Sequence, residues 1–287
     1  MKIGLIINTS KNLADLCAKY IIDLMRRNDA QVMLSISVKE YLSLKIDDGI
    51  IYYDCDESVI KNSDVVVTVG GDGTIIHNAK FAALYKKPLI GVNTGRVGFV
   101  AGIEGSEFVE LEKILSKNYT TQKRMLLCVK HKRGDSIDEY IAVNDATITR
   151  SAVNSVVDIS VSLNDEHIIK YRADGMIFAT PTGSTAYNLS AGGPVIEPVM
   201  KCILLTPICP HSLSSRQVVF SSESVLKATV DNASQRTCYL TIDGQTHIKL
   251  NQDDEIIVSQ SDLYLELIVL KEKNFYTLLN EKLKEKN

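Results

Sequence analysis

The chain has 287 residues, 45% hydrophobic and 23% charged, with 32 basic against 35 acidic side chains and a net charge of −3. That length suits two domains of ordinary size, and the composition is that of a soluble globular protein. It lacks the basic excess of a general nucleic-acid binder, has no apolar run that could span a bilayer, and its early apolar run is too short for a secretion signal. A cytoplasmic protein without nucleic-acid or membrane partners is therefore expected. The six cysteines (Cys17, Cys55, Cys128, Cys202, Cys209, Cys238) form no CxxC pair. That pattern favours reduced core thiols over disulfides, and argues against a metal corner at Cys209-Pro210-His211.

Taken in order, residues 2–8 read as a first strand. Leu13, Leu16, Cys17, Tyr20, Ile21, Leu24 and Met25 recur at helical spacing, so an amphipathic helix is predicted from Asn12 to Arg27. Residues 32–36 read as a strand. Residues 39–62 carry no clear period beyond a short helix near 54–62. Val65-Val66-Val67-Thr68-Val69 is a buried strand, residues 75–85 a helix, Leu89-Ile90-Gly91-Val92 a strand, and residues 107–117 a helix. Strands alternating with helices indicate a parallel sheet flanked by helices.

Beyond about residue 121 the period changes to two. Val157, Ile159, Val161 and Leu163 alternate with polar residues, and Asn164-Asp165-Glu166 turns the chain into residues 167–171. Residues 225–230, 238–242, 246–250 and 263–270 read as further strands, with Asp243-Gly244 as a hairpin turn. The expected fold is an α/β N-terminal domain (1–120 with 266–287) plus an all-β C-terminal domain (121–265). A terminal helix from Asn274 is expected to pack back on the first domain through Phe275, Leu278, Leu279 and Leu283.

Two stretches carry chemistry. Gly70-Gly71-Asp72-Gly73-Thr74 joins a strand to a helix, where close backbone approach and N–H groups at a helix start suit an anion. A carboxylate there repels phosphate, so Asp72 is suited to bind a metal, accept a proton or hold a sugar hydroxyl. The alternative is a tight turn with a solvated acid. In parallel sheets ligands sit beyond the carboxyl ends of the strands, and Asn8, Asp72 and Asn93-Thr94-Gly95 all fall there. The second stretch runs from Asp174 through Thr180-Pro181-Thr182-Gly183-Ser184-Thr185-Ala186-Tyr187 to Ser190-Ala191-Gly192-Gly193-Pro194. Its hydroxyls and N–H groups suit phosphate or ribose, and its tyrosine ring suits a base; the bland reading is a surface loop rich in turn formers. A GxxxxGK[ST] loop, a GxGxxG after the first strand and a nucleophile elbow are all absent from the sequence.

Together these stretches resemble the NAD kinase family. Asn144-Asp145, residues 207–216 and Asp243-Gly244-Gln245 extend the resemblance over nearly the whole chain. The glycine motif alone is shared with lipid kinases and phosphofructokinases; the Thr180–Tyr187 stretch is more specific. The resemblance implies transfer of the terminal phosphate of ATP to the 2′-hydroxyl of the adenosine ribose of NAD, with a divalent cation such as Mg²⁺. Asp72, beside Gly73, would accept the hydroxyl proton or orient the hydroxyl. Asn144 and Asp145 would bind NAD through ribose or nicotinamide. Asp174, with Arg172 nearby, would hold the nicotinamide amide or a ribose, and Thr185, Ala186, Tyr187 and Ser190 the adenine and ribose. Gln245 would contribute from the Asp-Gly turn. His77, one helical turn past Gly73, would face phosphates or sit on the helix surface. Asp145 stands where the family more often has Glu, and Gln217 where Pro is common. The resemblance also implies a homodimer or homotetramer assembled through the β domain. Two rivals share some of these features: a lipid kinase with the Gly-Gly-Asp-Gly motif, and a nucleotide-binding protein without turnover.

Overall fold

A computed structural model describes residues 1–10, 13–44, 49–94, 98–104, 107–151, 156–212, 215–231, 237–271 and 274–284. Asn12, Gly95, Leu213 and Ser214, all singled out by the sequence reading, lie outside these residues. The chain divides into two compact units, Met1–Lys123 with Leu265–Asn287, and Arg124–Tyr264. Among the described residues no helix is long and apolar enough to cross a membrane.

In the first unit the order is β1 (Lys2–Ile7), α1 (Ala14–Arg27), β2 (Gln31–Ser35), α2 (Ile36–Leu42), β3 (Ile51–Tyr53), α3 (Asp56–Asn62), β4 (Val65–Gly70), α4 (Asp72–Leu84), β5 (Leu89–Asn93), β6 (Ile103–Glu104) and, after a 3₁₀ turn at Phe108–Leu111, α5 (Glu112–Leu115). The strands pair in parallel in the order β3-β2-β1-β4-β5. β4 and β5 are buried throughout, which is why they read as unbroken apolar runs rather than alternating ones. Because the strands are parallel and in register (Ile7 beside Val69, Gly70 beside Asn93), their carboxyl ends share one edge. Main-chain bonds from Asn8 to Val69 (2.9 Å) and from Thr94 to Gly70 (3.3 Å) hold that edge together.

Helix α1 buries Ala14, Cys17, Ala18, Ile21, Ile22, Leu24 and Met25, but leaves Leu16 and Tyr20 outside. The Tyr20 ring packs on Phe108, 5.4 Å between centroids. The helix expected over 107–117 is instead a 3₁₀ turn followed by one α-turn. The untypable stretch 39–62 contains the end of α2, β3 and α3, each too short to establish a period.

The second unit starts within β7 (Thr120–Arg133) and continues through β8 (Ser136–Ala142), β9 (Asp145–Arg150), β10 (Val157–Leu163), β11 (Glu166–Ala173), β12 (Gly175–Ala179), α6 (Tyr187–Ser190), β13 (Cys202–Ile208), β14 (Val218–Ser221), β15 (Leu226–Val230), β16 (Cys238–Ile242) and β17 (Thr246–Leu250). β18 (Glu255–Val269) leaves this unit at its end, and α7 (Phe275–Lys284) closes the first. One antiparallel sheet runs β14-β13-β12-β9-β16-β17; β11, β10, β15 and β18 pair in a second set. Alternate residues of both fill one core: Ala146 and Ile148, Val157, Ile159 and Val161, Met176 and Phe178, Ile203 and Leu205. The opposite face of β12 and β13 (Ile177, Ala179, Leu204) is covered by Ala191 and Ile196, so the hydroxyl-rich stretch is the lid of that face. Asn164 and Asp165 (φ 49° and 69°), and Asp243 and Gly244 (φ 49° and 67°), have the paired positive φ of two-residue hairpin turns.

Candidate active site

In the first unit the site is the start of α4. Gly71 is extended (φ −100°, ψ −179°) and Asp72 opens the helix, where a carboxylate complements the positive end of the helix dipole. Gly70 is required because a Cβ there would strike Thr74. The Thr74 hydroxyl accepts from Asn8 Nδ2 at 2.9 Å, tying β1 to the turn. The Asp72 carboxylate points at the chain following β5. Oδ2 accepts the Phe99 amide at 2.9 Å and Oδ1 the Val100 amide at 3.4 Å. This approach exists only because residue 98 is glycine: a Cβ there would fall onto the Asp72 carboxylate. The Phe99 ring in turn lies 6.4 Å from Phe275 of α7. Gly73 and His77 are exposed, with His77 edge-on to Phe81 at 6.2 Å.

In the second unit the candidates lie along β9 and β12. Asp145 opens β9 opposite Ala179, and Arg150 closes it beside Asp174, about five residues or about 17 Å further on. The Asn144 carbonyl accepts the Thr180 amide at 2.9 Å and the Val143 carbonyl the Thr180 hydroxyl at 2.7 Å. A Cβ on Gly183 would strike the Asn144 main chain, so the loop closes over this turn only with glycine there. Asp145 is 6% exposed, and burial, with the nearby Asp243 charge, pushes its carboxyl up to about 7. The Asn144 side-chain oxygen and the Thr182 hydroxyl are buried with no hydrogen-bond partner among the described residues, an arrangement that favours a ligand supplying donors.

At the other end, Arg150 grips Asp174 through Nε and Nη2, both at 2.8 Å, and this guanidinium holds the Asp174 carboxyl below the usual carboxylate range. Arg172 is exposed, with its Nε 4.0 Å from Asp158. Tyr187 is 44% exposed; burial, then Cys209, Asp145 and Asp174, raises its phenol, so the ring stands within electrostatic reach of both ends of the row. Asn188 is the buried anchor of this stretch. It donates to Ser184 O (3.1 Å) and Pro194 O (3.0 Å) and accepts from Thr206 (2.6 Å). Thr185 and Ala186 are half-buried, and Ser190 and Gln245 are exposed.

Sequence reasoning did not single out Arg150, Asn188, Thr180, Phe99 or Gly98. Asn188 and Thr180 sit inside the stretch that was read; the other three owe their roles to strand neighbours distant in sequence. Cys55 and Cys209 are exposed rather than core thiols, Cys209 at a positive-φ bend (44°) after β13. Among the described residues no three His, Cys, Asp or Glu side chains converge into a cluster that could hold a metal ion.

The ATP-NAD kinase N-terminal domain description matches residues 3–122, and the ATP-NAD kinase C-terminal domain description matches residues 143–270. An NAD kinase of Thermoanaerobacter sp. (strain X514) is 36% identical over 287 residues, 99% of each chain. An NAD kinase of Caldanaerobacter subterraneus subsp. tengcongensis is 41% identical over 230 residues, 79% of this chain and 81% of the relative. Among solved structures, yeast NADH kinase complexed with NADH matches with a TM-score of 0.88 and 26% identity, over 99% of this chain and 87% of the other. An NAD kinase from Archaeoglobus fulgidus in complex with ATP shares the fold, with a TM-score of 0.76 at 24% identity over 99% of both chains. The two domains are thus those of a phosphotransferase. The chain belongs to the NAD kinase family. That membership decides against the lipid-kinase and non-catalytic alternatives.

Proposed function

We propose that this enzyme transfers the terminal phosphoryl group of ATP to the 2′-hydroxyl of the adenosine ribose of NAD, giving ADP and NADP, with Asp72 as the group that receives the hydroxyl proton. The observation that carries this reading is the fixed Asp72 carboxylate at the head of α4, held by the Phe99 and Val100 amides. An ionised carboxylate has about four acceptor sites, so two amide bonds leave capacity for a hydroxyl. The 2′-oxygen forms the new O–P bond, the bridging oxygen leaves with ADP, and the proton passes to Asp72. In a loose phosphoryl-transfer transition state the nucleophile needs orientation more than early deprotonation, which suits a carboxylate held by main-chain amides.

The NAD-binding set is Asn144, Asp145, Asp174, Thr185, Ala186, Tyr187, Ser190 and Gln245. Arg150 is the partner that orients Asp174, and the exposed Arg172 and His77 complete the set of nucleotide contacts. The row from Asp145 to Asp174 suits an extended dinucleotide, with the exposed Tyr187 ring as a platform for a base. Magnesium enters with ATP. The enzyme is cytoplasmic, and it assembles as a homodimer or homotetramer through the all-strand unit, where the edge strand β14 exposes Val219.

The test is purified protein with ATP, magnesium and NAD, read by an NADP-specific coupled assay, with the D72N variant alongside. NADP formation that collapses in D72N supports the reading; absence of NADP from the wild type, or undiminished turnover in D72N, overturns it. Light scattering on the same sample tests the assembly, and a monomer would refute it.

A further inference from the structure

Asp243 does more than its hairpin requires. A two-residue turn with positive φ at both positions accepts Asn or Gly at the first of them, so the geometry at φ 49° gives no reason for a carboxylate. That carboxylate nevertheless accepts three consecutive amides about a hundred residues away in sequence. Oδ2 takes Val143 N at 2.8 Å, and Oδ1 takes Asn144 N at 2.7 Å and Asp145 N at 3.1 Å. The Asp243 amide returns a bond to the Asp145 carbonyl at 2.9 Å. From the other side Thr180 binds the carbonyls of Val143 and Asn144. The main-chain amides of the 143–145 turn are therefore engaged with the protein, and what the turn offers a ligand is the side chains of Asn144 and Asp145.

We propose that Asp243 is a positioning residue for the dinucleotide: its carboxylate fixes the Asn144–Asp145 turn and thereby sets the affinity for NAD. The inference rests on the assignment of Asn144 and Asp145 to NAD. Asp243 also places a negative charge beside Asp145. Among the described residues the titratable groups acting on or acted on by Asp145 are Asp243 from the β16–β17 turn and Tyr187 from α6, and residues 179–186 contribute no charged side chain. Burial and that neighbouring charge together move Asp145 into the neutral range. Loss of the Asp243 charge therefore alters both the turn and the pH at which Asp145 ionises.

The variant is D243N, which keeps the shape but offers one acceptor oxygen in place of two and turns an NH₂ toward N–H donors. Its KM for NAD rises by about tenfold or more while its KM for ATP stays within about twofold, because only the NAD-binding turn loses its clamp. The pH midpoint of NAD affinity, measured by titration in wild type and variant, moves to more acidic pH in D243N. An unchanged KM for NAD, a parallel rise in the KM for ATP, or an unmoved midpoint overturns the proposal. Should D243N fail to fold, hydrogen exchange on the wild-type chain decides: the amides of Val143, Asn144 and Asp145 exchange as slowly as those of β9, and rapid exchange refutes the clamp. Failure of the wild type to form NADP would instead count against the underlying functional reading.

Discussion

Two aspartates of this enzyme open an element immediately after a turn, and their surroundings are opposite. Asp72 is half-buried, and main-chain amides from Phe99 and Val100 bond directly to its carboxylate. Asp145 is buried, and the amides of its own turn bond to a different carboxylate, that of Asp243. One acid is fixed in orientation and exposed enough to meet a substrate hydroxyl. The other is held in place by its main chain, while its side chain is desolvated beside a like charge. The contrast shows that an aspartate's environment is set by where the neighbouring N–H donors are directed, not by its place after a turn.

The sharpest way to break the comparison is D72N. Turnover is expected to fall by about a hundredfold or more, the scale of a lost proton acceptor, with NAD affinity kept within about tenfold. Steady-state kinetics with a binding titration separates the two effects, and equal losses in both would make Asp72 a binding residue, the role proposed for Asp145.

D145N tests the other side through stability. The Asp145 carboxyl goes from an ordinary 3.8 to about 7 in the folded chain. The folded state then binds its proton more tightly than the unfolded state, so stability falls as pH rises through that window and levels off above it. The full linkage is about 4 kcal/mol as an upper bound. Melting temperatures at pH 5 and pH 8 should converge in D145N relative to wild type, by several degrees. Superimposable pH profiles would mean that Asp145 is not desolvated as described.

G98A sharpens the Asp72 side without touching the acid. The added methyl displaces the carboxylate from the Phe99 and Val100 amides, so kcat should drop by about ten- to a hundredfold, the scale of a misplaced catalytic group. The KM for NAD should move less than kcat; wild-type kcat would show that the amide contacts are dispensable. The smallest expected effect is Y187A, which removes an exposed ring and should weaken NAD binding by about three- to tenfold, measured by calorimetry. An unaltered dissociation constant would remove Tyr187 as a base platform.

What the sequence determined by itself was local. The β16–β17 hairpin was readable to the residue because Asp243-Gly244 demands positive φ and its flanks alternate. The Gly70–Thr74 turn was readable because an apolar run meets three glycines and a helix-forming segment. Period failed where elements were short, as at β3 and the 3₁₀ turn before α5, and where both faces were buried, as in β12 and β13, whose apolar runs lack alternation.

Only the tertiary structure decided which partners each acid would meet. Asp72 meets residues 99 and 100, Asp174 meets Arg150, and Asp243 meets residues 143–145, separations from 24 to 100 residues. Such pairings depend on strand order and register, which arise from the packing of whole sheets. No local propensity encodes them, so the chain's chemistry was legible as residue types in turns, while its geometry awaited the sheet of each unit that sets each turn beside its partners.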